Sequence, residues 1–312
     1  MSQTLIEDAL AILRDKYVFP EKAEEAAAIV EASLAAGEYE GLTEEQLGER
    51  LTEQIYAVCA DKHLRVRVRA VDLQEAGESD EDADAVWNER QRLTNYGILR
   101  TERLDGNIGY IKLRGVTSPG IGGAAIAAAM ELVANTEALI FDLTVNRGGD
   151  PDGVQMWNSY LFKDSETHLN SIYDAETKHT RDYWTLAHVP GARYLDKPVY
   201  LLTSKSTFSG GEEFAYNLQA LKRATLIGET TGGGAHPTDQ FPVSKTVEIT
   251  VPVARSVNPV TGTNWEGVGV VPDIALPADE AFAHAYTLAL QHVAATSTSQ
   301  LVQEEAQSAL EK

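Results

Sequence analysis

The chain has 312 residues, of which 43% are hydrophobic, and its 47 acidic and 26 basic side chains give a formal net charge of −21. This length predicts one large domain with a smaller one, and the hydrophobic fraction is typical of soluble globular proteins. The negative charge argues against nucleic acid or an anionic membrane as the main partner, because such partners need clustered Lys and Arg. The sequence has no apolar run of membrane-spanning length and no basic-then-apolar leader. We therefore expect no membrane insertion and a cytoplasmic chain, with an exported mature form as the alternative.

The N-terminal part has the periodicity of helices. Apolar residues recur at helical spacing in three stretches between residues 3 and 59, and the third stretch opens with the capping-box pattern Thr43-x-x-Gln46. These stretches predict a small helical bundle over residues 1–62. Residues 63–69 then alternate apolar and charged side chains, as a half-buried strand does, and residues 75–84 are strongly acidic. We interpret residues 63–92 as a strand followed by an acidic linker, in which residues 75–84 form either an exposed linker or a loose helix.

The remaining chain, residues 93–312, alternates between short apolar runs and helical patterns. Residues 108–111, 138–143 and 198–202 are predicted strands, and each is followed by a loop or a helical stretch. Alternation of this kind predicts an α/β core whose ligand-binding loops lie at the ends of the strands.

The most informative stretch surrounds Ser209. This serine lies where the predicted strand 198–202 gives way to a helical pattern, and Gly210 and Gly211 follow it directly. Glycine permits a sharp turn and close approach of a substrate, and a helix N-terminus offers free N–H groups that can stabilise an oxyanion. The simpler interpretation is structural, because Ser209-x-x-Glu212 is also a capping box.

Cofactor and metal motifs are missing from the sequence. The glycine cluster at residues 228–234 lacks the Gly-Lys-Ser/Thr ending of a phosphate loop, and the pair Gly148-Gly149 lacks the dinucleotide-binding pattern and would by itself suggest a plain turn. There is no His-Glu-x-x-His motif, and Cys59 is the single cysteine. We therefore predict no cofactor and no metal.

Several motifs in order carry a family resemblance. They are Gly109-Tyr110-Ile111, the loop Asp142-Leu143-x-x-Asn146-x-Gly148-Gly149, Ser209 with its flanks, Gly228-Glu229-x-Thr231 and Gly269-Val270-x-Pro272-Asp273. Together they resemble the tail-specific (C-terminal processing) serine peptidases, and the stretch 183–200 and the helical start are similar to the branch shared with interphotoreceptor retinoid-binding protein. The resemblance implies a crotonase/ClpP-like α/β spiral core with a small N-terminal helical bundle.

The resemblance also implies the catalytic residues. One branch of the family uses a lysine as general base, but Gly234 stands at the corresponding position in this chain. The tricorn-like branch uses a histidine ahead of the core and a glutamate ahead of the last motif, which His63 and Glu266 match. We therefore predict Ser209, His63 and Glu266 as the catalytic set, with His236 as the alternative base. Without the resemblance, His63 would be interpreted as a half-exposed strand residue and Glu266 as a surface acid.

These residue types suit acyl transfer. A serine hydroxyl becomes nucleophilic when a neighbouring base takes its proton, and a carboxylate stabilises the histidine that does so. The backbone N–H of Gly210, with that of Gly148 or Gly149, would form the oxyanion hole. The expected substrates are peptides or unstructured protein ends, with a homo-oligomer left open. The alternatives are a non-catalytic binder of a small apolar ligand such as a retinoid or fatty acid, and a scaffold domain.

Overall fold

The computed structural model describes residues 2–70 and 80–311. Contacts group the chain into two compact units. Unit one comprises residues 1–87, 171–181 and 234–257, and unit two comprises residues 88–170, 182–233 and 258–312. The predicted segments 1–62, 63–92 and 93–312 differ from this grouping, because pieces of chain that are distant in sequence pack into unit one.

The described helices and strands follow one another along the chain. They are α1 (Ser2–Lys16), α2 (Pro20–Ala35), α3 (Glu44–Cys59), β1 (Arg65–Val68), α4 (Asp80–Leu93), β2 (Ile98–Leu104), β3 (Ile108–Leu113), α5 (Pro119–Val133), β4 (Ala138–Asp142), α6 (Pro151–Ser159), β5 (His168–Asp174), β6 (Thr180–Trp184), β7 (Val199–Thr203), α7 (Gly210–Ala220), β8 (Thr225–Gly228), β9 (Thr238–Pro242), β10 (Val247–Pro252), β11 (Ala254–Val257), β12 (Ile274–Ala275), α8 (Ala278–Thr296) and α9 (Gln300–Leu310).

Unit one contains the predicted N-terminal helices and a small antiparallel sheet in the order β1-β10-β9. The apolar stripes of α1, α2 and α3 and the inner face of β10 form one core, in which Leu13, Val30, Ile55 and Ile249 are fully or almost fully buried. The capping box at Thr43 and Gln46 is present at the start of α3. The sequence predicted the helices and β1, but not that a hairpin from residues 238–252 completes their core.

The acidic segment is helical where it is described. Residues 75–79 lie outside the described residues, and from Asp80 the chain forms α4, which agrees with the helical alternative for residues 75–84. Among the described helices, none has the length and apolar character that crossing a lipid bilayer requires.

Unit two is built on a six-stranded sheet in the order β12-β8-β7-β4-β3-β2. Its strands run parallel except β2, which pairs antiparallel with β3. The residues of β4 are all buried, which explains the continuous apolar run at 138–142. Helix α8 packs on this sheet through small residues, including Ala281, Ala285 and Ala289. Because β4 and β7 are parallel neighbours, the loops that follow them emerge at the same edge of the sheet.

A third sheet has the strand order β11-β5-β6. Residues 254–257 of β11 pair antiparallel with residues 171–174 of β5, and the boundaries between the units fall within β5 and β6. The architecture is therefore mixed α/β with N-terminal helices, as predicted. Strand β2, helices α8 and α9, and the β9–β10 hairpin are additions that sequence reasoning did not anticipate.

Candidate active site

Ser209 lies at a strained turn between β7 and α7. Its backbone has φ +53° and ψ −126°, a conformation that residues with a side chain rarely adopt and that costs about 1–3 kcal/mol. The carbonyl of Ser209 accepts the N–H groups of Glu212 and Glu213 at 2.7 and 3.0 Å, which begins the helix. A strained strand-to-helix turn is the geometry that exposes a nucleophilic hydroxyl in serine hydrolases.

The carboxylate of Glu212 connects this turn to the glycine-rich loop 228–234 through hydrogen bonds. Glu212 is fully buried, and its Oε2 accepts the N–H of Ser209 at 2.9 Å. Its Oε1 accepts the Thr231 hydroxyl at 2.5 Å and the Gly233 N–H at 2.6 Å, and the Thr231 hydroxyl accepts the N–H of Val270. Glu212 thus has the capping role that the Ser209-x-x-Glu212 pattern predicts. This role of Glu212 is compatible with Ser209 being a nucleophile.

The loop after β4 lies directly against Ser209. A Cβ atom on Gly148, whose φ is +99°, would lie 2.6 Å from the Cβ of Ser209 and 2.8 Å from the Gly210 nitrogen. Asn146 joins the two loops, because its carbonyl accepts the Phe208 N–H at 3.0 Å. The pair Gly148-Gly149 is therefore more than a plain turn, since its lack of side chains permits the contact with Ser209.

The backbone donors near Ser209 are not equivalent. The N–H of Gly148 donates to Oδ1 of Asn146 at 2.8 Å, which orients the loop and engages that donor. A Cβ on Gly210 would lie 3.0 Å from the Gly149 nitrogen, so the amides of Gly149 and Gly210 are close neighbours. The Gly148 N–H is therefore engaged within its own loop, whereas the Gly149 nitrogen lies beside Gly210.

Asp142 anchors the base of this loop at the end of β4. Its carboxylate accepts bonds from the Tyr110 hydroxyl at 2.6 Å and from the Thr144 hydroxyl at 2.5 Å, and pairs with Lys112 at 3.0 Å. Burial alone would raise the pKa of Asp142, but the hydrogen bonds from Thr144 and Tyr110 outweigh it and hold the pKa below its usual value. The motif aspartate is thus a structural anchor, held as an anion.

Glu266 belongs to unit two and is half-buried. It follows Trp265, a buried ring that packs against Tyr216 at 5.3 Å between centroids. The next residue, Gly267, donates its N–H to the carbonyl of Gly233 at 3.1 Å. The segment that carries Glu266 therefore contacts the glycine-rich loop. Glu212 connects the same loop to Ser209 through hydrogen bonds.

Both candidate histidines lie in unit one, around a buried aspartate that sequence reasoning missed. Asp61 is 1% exposed; its carboxylate lies 2.6 Å from Nδ1 of His236 and accepts the backbone N–H of His63 at 3.0 Å. The imidazole Nδ1 of His63 is 3.9 Å from Asp61 Oδ1. The signal available in the sequence was the acid two residues before His63, a spacing at which a carboxylate bonds its own backbone.

Burial changes the expected titration of His63. Loss of hydration, with smaller contributions from His236 and Arg65, lowers the pKa of His63 to about 4 against the opposing charge of Asp61. The sequence predicts instead a lightly perturbed histidine with a pKa near ~6–7.5. The structure corrects that prediction, because the imidazole is largely removed from water.

Glu213 is a second buried acid on α7. It is 4% exposed, and burial raises its pKa to about 8, against hydrogen bonding to Asn170 and Asn217 and with repulsion from Asp150 and Asp152. Glu213 is therefore protonated at neutral pH within a cluster of buried amides. The sequence, in which Glu213 directly follows Glu212, does not indicate that Glu213 has a raised pKa.

A strained serine at a strand-to-helix turn, packed against a double-glycine loop, places the chain among α/β proteins with a serine-hydrolase site. Comparison of the sequence with protein-family models defines the family. The model of Peptidase family S41 matches residues 107–276, and that of the N-terminal domain of Peptidase_S41 in eukaryotic IRBP matches residues 2–95. The chain belongs to peptidase family S41, a family of serine-type peptidases, and has the IRBP-type N-terminal domain.

Curated relatives agree with this family. The chain is 32% identical over 173 residues to carboxyl-terminal-processing peptidase 2, chloroplastic, of Arabidopsis thaliana, a match covering 54% of this chain and 32% of that protein. It is 25% identical over 179 residues to a carboxy-terminal-processing protease of Bartonella bacilliformis, covering 56% and 40%. The match therefore spans less than half the length of either relative.

Solved structures share the fold. A lipoprotein from Streptococcus agalactiae aligns with a TM-score of 0.62 at 13% identity, covering 93% of this chain and 96% of that chain. The photosystem II D1 C-terminal processing protease aligns with a TM-score of 0.55 at 16% identity, covering 89% and 94%. At these identities the likeness concerns the fold.

Proposed function

We propose that this protein cleaves peptides or unstructured protein ends, with Ser209 as the nucleophile. The observation that carries the proposal is the strained turn of Ser209 against Gly148. Proteins retain strain of this kind where the surrounding contacts over-determine it, and it concentrates at active sites. The substrate class is inferred from the relatives' names, which describe carboxyl-terminal processing. We also assign the core to the ClpP/crotonase-like spiral.

The proposed oxyanion hole consists of the N–H groups of Gly149 and Gly210. The prediction from sequence included Gly148 as well, but that N–H donates to Asn146. Gly210 is the first residue of α7, where the helix dipole adds partial positive charge. Two amides aimed at a developing oxyanion are a major source of rate enhancement in acyl transfer.

The proposed general base is a histidine, with Glu266 as a supporting carboxylate. The sequence favours His63, because it lies ahead of the core as the histidine of the tricorn-like branch does. His236 is the alternative base. A lysine mechanism has no support, since Gly234 stands where that branch has its lysine. Both histidines are therefore candidates for the base.

The alternative function, binding of a small apolar ligand, has weaker support. In the sequence it is supported by the resemblance to the retinoid-binding branch and by the aromatic residues Tyr183, Trp184, Phe208, Phe214 and Tyr216. Phe214 is fully buried and packs against Phe141 at 5.2 Å between centroids, and Tyr183 is 6% exposed. These two rings are core residues and offer little surface to a ligand, whereas Trp184 of the same set is 43% exposed.

A serine-reactive fluorophosphonate probe tests the proposal. The probe should label the protein, peptide mapping should place the label on Ser209, and an unstructured peptide should be hydrolysed. Ser209→Ala should neither be labelled by the probe nor hydrolyse the peptide. The matched variant Ser206→Ala should behave like wild type in both assays. Labelling at another residue, or hydrolysis by Ser209→Ala, would overturn the assignment, whereas tight binding of a fatty acid without hydrolysis would favour the alternative.

A further inference from the structure

A cavity of about 300 Å³ lies in unit two, at the end of the six-stranded sheet opposite the Ser209 turn. Val199 and Thr225, where β7 and β8 begin, line this cavity, whereas Ser209 follows the other end of β7. We infer that the cavity binds the oxyanion group, a carboxylate or a phosphate, of a small organic molecule. This site is separate from the proposed peptidase site, and the inference does not rest on the proposed function.

Two adjacent cations line the cavity, and among the residues that the structure describes neither is paired with a carboxylate. Lys222 is exposed, and its ammonium group donates to no described residue. The guanidinium of Arg223 donates to three backbone carbonyls at distances between 2.7 and 3.1 Å, those of Leu161, Lys197 and Tyr194. An arginine has five N–H donors, so two remain for a ligand. The carbonyls orient the guanidinium, but they supply no opposite full charge.

Packing removes water from Arg223 without placing an anion in contact with it. Burial lowers the pKa of its guanidinium, against the electrostatic effect of Tyr194 and Asp196. A partly buried cation gains most from an anion within reach, because the protein interior screens charge less than water does. The planar guanidinium also matches the geometry of a carboxylate or a phosphate. These properties favour an external oxyanion as the partner.

The end of α7 fixes the backbone that carries both cations. The N–H of Lys222 donates to the carbonyl of Gln219 at 2.9 Å. The N–H of Arg223 donates to the carbonyl of Leu218 at 2.8 Å. This pair of bonds is a Schellman motif, whose left-handed residue is usually glycine. Here that residue is Lys222, with φ +54°, so the fold carries an ammonium group at a position where a side chain is strained.

The strands supply further donors and an apolar wall. Tyr200 and Thr225 also line the cavity and are direct partners in the β7–β8 pair. Within the described ranges, their hydroxyls form no hydrogen bond to the protein. Burial raises the pKa of Tyr200, so its hydroxyl stays protonated and can donate. Pro198 and Val199 add apolar surface, which suits the carbon skeleton of an organic anion rather than a bare ion.

An acidic residue, Asp273, lines the same cavity, but protein donors engage both of its oxygens. Its Oδ1 accepts the Gln219 amide at 3.1 Å, and its Oδ2 accepts the backbone N–H of Leu226 at 2.8 Å. With Lys222 and Arg223, the lining keeps one net positive charge. The formal net charge of the whole chain is −21, so a positive cavity is a local feature that selects for anions.

The test is a titration of the full-length protein at constant ionic strength, followed by two-dimensional ¹H–¹⁵N NMR. Benzoate and phenyl phosphate share an apolar ring and differ in the head group, whereas benzylamine carries the opposite charge. We expect saturable shifts of the Ala224 and Thr225 amides with at least one of the two anions, and none with benzylamine. Binding of benzoate alone would identify a carboxylate ligand, and binding of phenyl phosphate alone would identify a phosphate.

Lys222→Gln removes one charge from an exposed side chain. We expect it to weaken the affinity for the bound anion by about 5-fold or more. The matched control is Lys178→Gln, because Lys178 is also exposed and has φ +55°; it should bind the anion as wild type does.

Three results would overturn the inference: saturable shifts with neither anion, equal shifts with benzylamine, or unchanged affinity in Lys222→Gln. If Lys222→Gln failed to fold, the wild-type titration with the three probes would still decide. The readout is binding in the presence or absence of peptide hydrolysis. Failure of Ser209 as the nucleophile would therefore leave this inference standing, and failure of this inference would leave the proposed function unchanged.

Discussion

Gly148 and Ser209 approach so closely that a single added methyl group at Gly148 would collide with the serine. The added carbon would lie 2.6 Å from the Ser209 Cβ, and the backbone of Gly148 has φ +99°. Gly148→Ala should therefore displace the Ser209 turn, lower kcat/KM by at least ~10²-fold and cost about 1–3 kcal/mol of stability.

The matched control for this prediction is Gly41→Ala. Gly41 also has positive φ, at +75°, but a Cβ there would meet nothing within 4 Å. It should show a similar or smaller loss of stability with full activity. Equal activity of Gly148→Ala and wild type, measured with the same peptide, would show that the contact does not shape the site.

Glu212→Gln should destabilise the protein and reduce activity together. The carboxylate accepts three hydrogen bonds, from Ser209, Thr231 and Gly233, whereas an amide offers one acceptor oxygen. Leaving buried donors unsatisfied costs about 1–3 kcal/mol each. Thermal unfolding and peptide hydrolysis measure the two effects, and Glu45→Gln, at an exposed position on α3, should change neither. An unaltered melting temperature in Glu212→Gln would contradict the prediction.

The buried His63 should make the protein less stable in acid. Its pKa is lowered from 6.5 to about 4 on folding, so between these values the unfolded chain binds more protons. Stability therefore rises with pH through the window from about 4 to 6.5 and is lost as the pH falls through it. Urea unfolding of wild type and His63→Gln across this range should give a difference that shrinks toward pH 4. A difference independent of pH would reject the shift.

Kinetics offers a separate test of the base. If His63 were the general base, the acid limb of kcat/KM would lie near pH 4, because the free enzyme's base sets that limb. That limb should disappear in His63→Gln. A limb well above pH 4 that His63→Gln leaves in place would contradict His63 as the base.

Glu213 should make the protein less stable as the pH rises, which is opposite to the effect of His63. Its pKa is raised from 4.5 to about 8 on folding, so the folded state binds more protons between these values. The stabilisation is present below about pH 4.5 and is lost as the pH rises through 8. Glu213→Gln imitates the protonated acid, and its stability relative to wild type should increase from pH 4.5 to 8 in urea unfolding. A constant difference would show that the carboxyl is already ionised.

The sequence by itself determined the local structure, because that information is periodic. The apolar stripes of α1, α2 and α3 and the continuous run of β4 specify which faces are buried, and the glycines beside Ser209 mark the sharp turn before α7. The family motifs added Ser209, His63 and Glu266 as candidates. Periodicity does not specify which distant segment covers a buried face, so the placement of β10 against the N-terminal helices was not predicted.

The tertiary structure alone decided the contacts between residues far apart in the chain. Asp61 and His236 are 175 positions apart, and neither belongs to a local pattern that points to the other. Their hydrogen bond exists because β10 pairs with β1 and brings the end of the glycine-rich loop to the turn after α3. Burial, which lowers the pKa of His63 and raises that of Glu213, likewise depends on packing from every side, and residue type and spacing along the chain do not encode it.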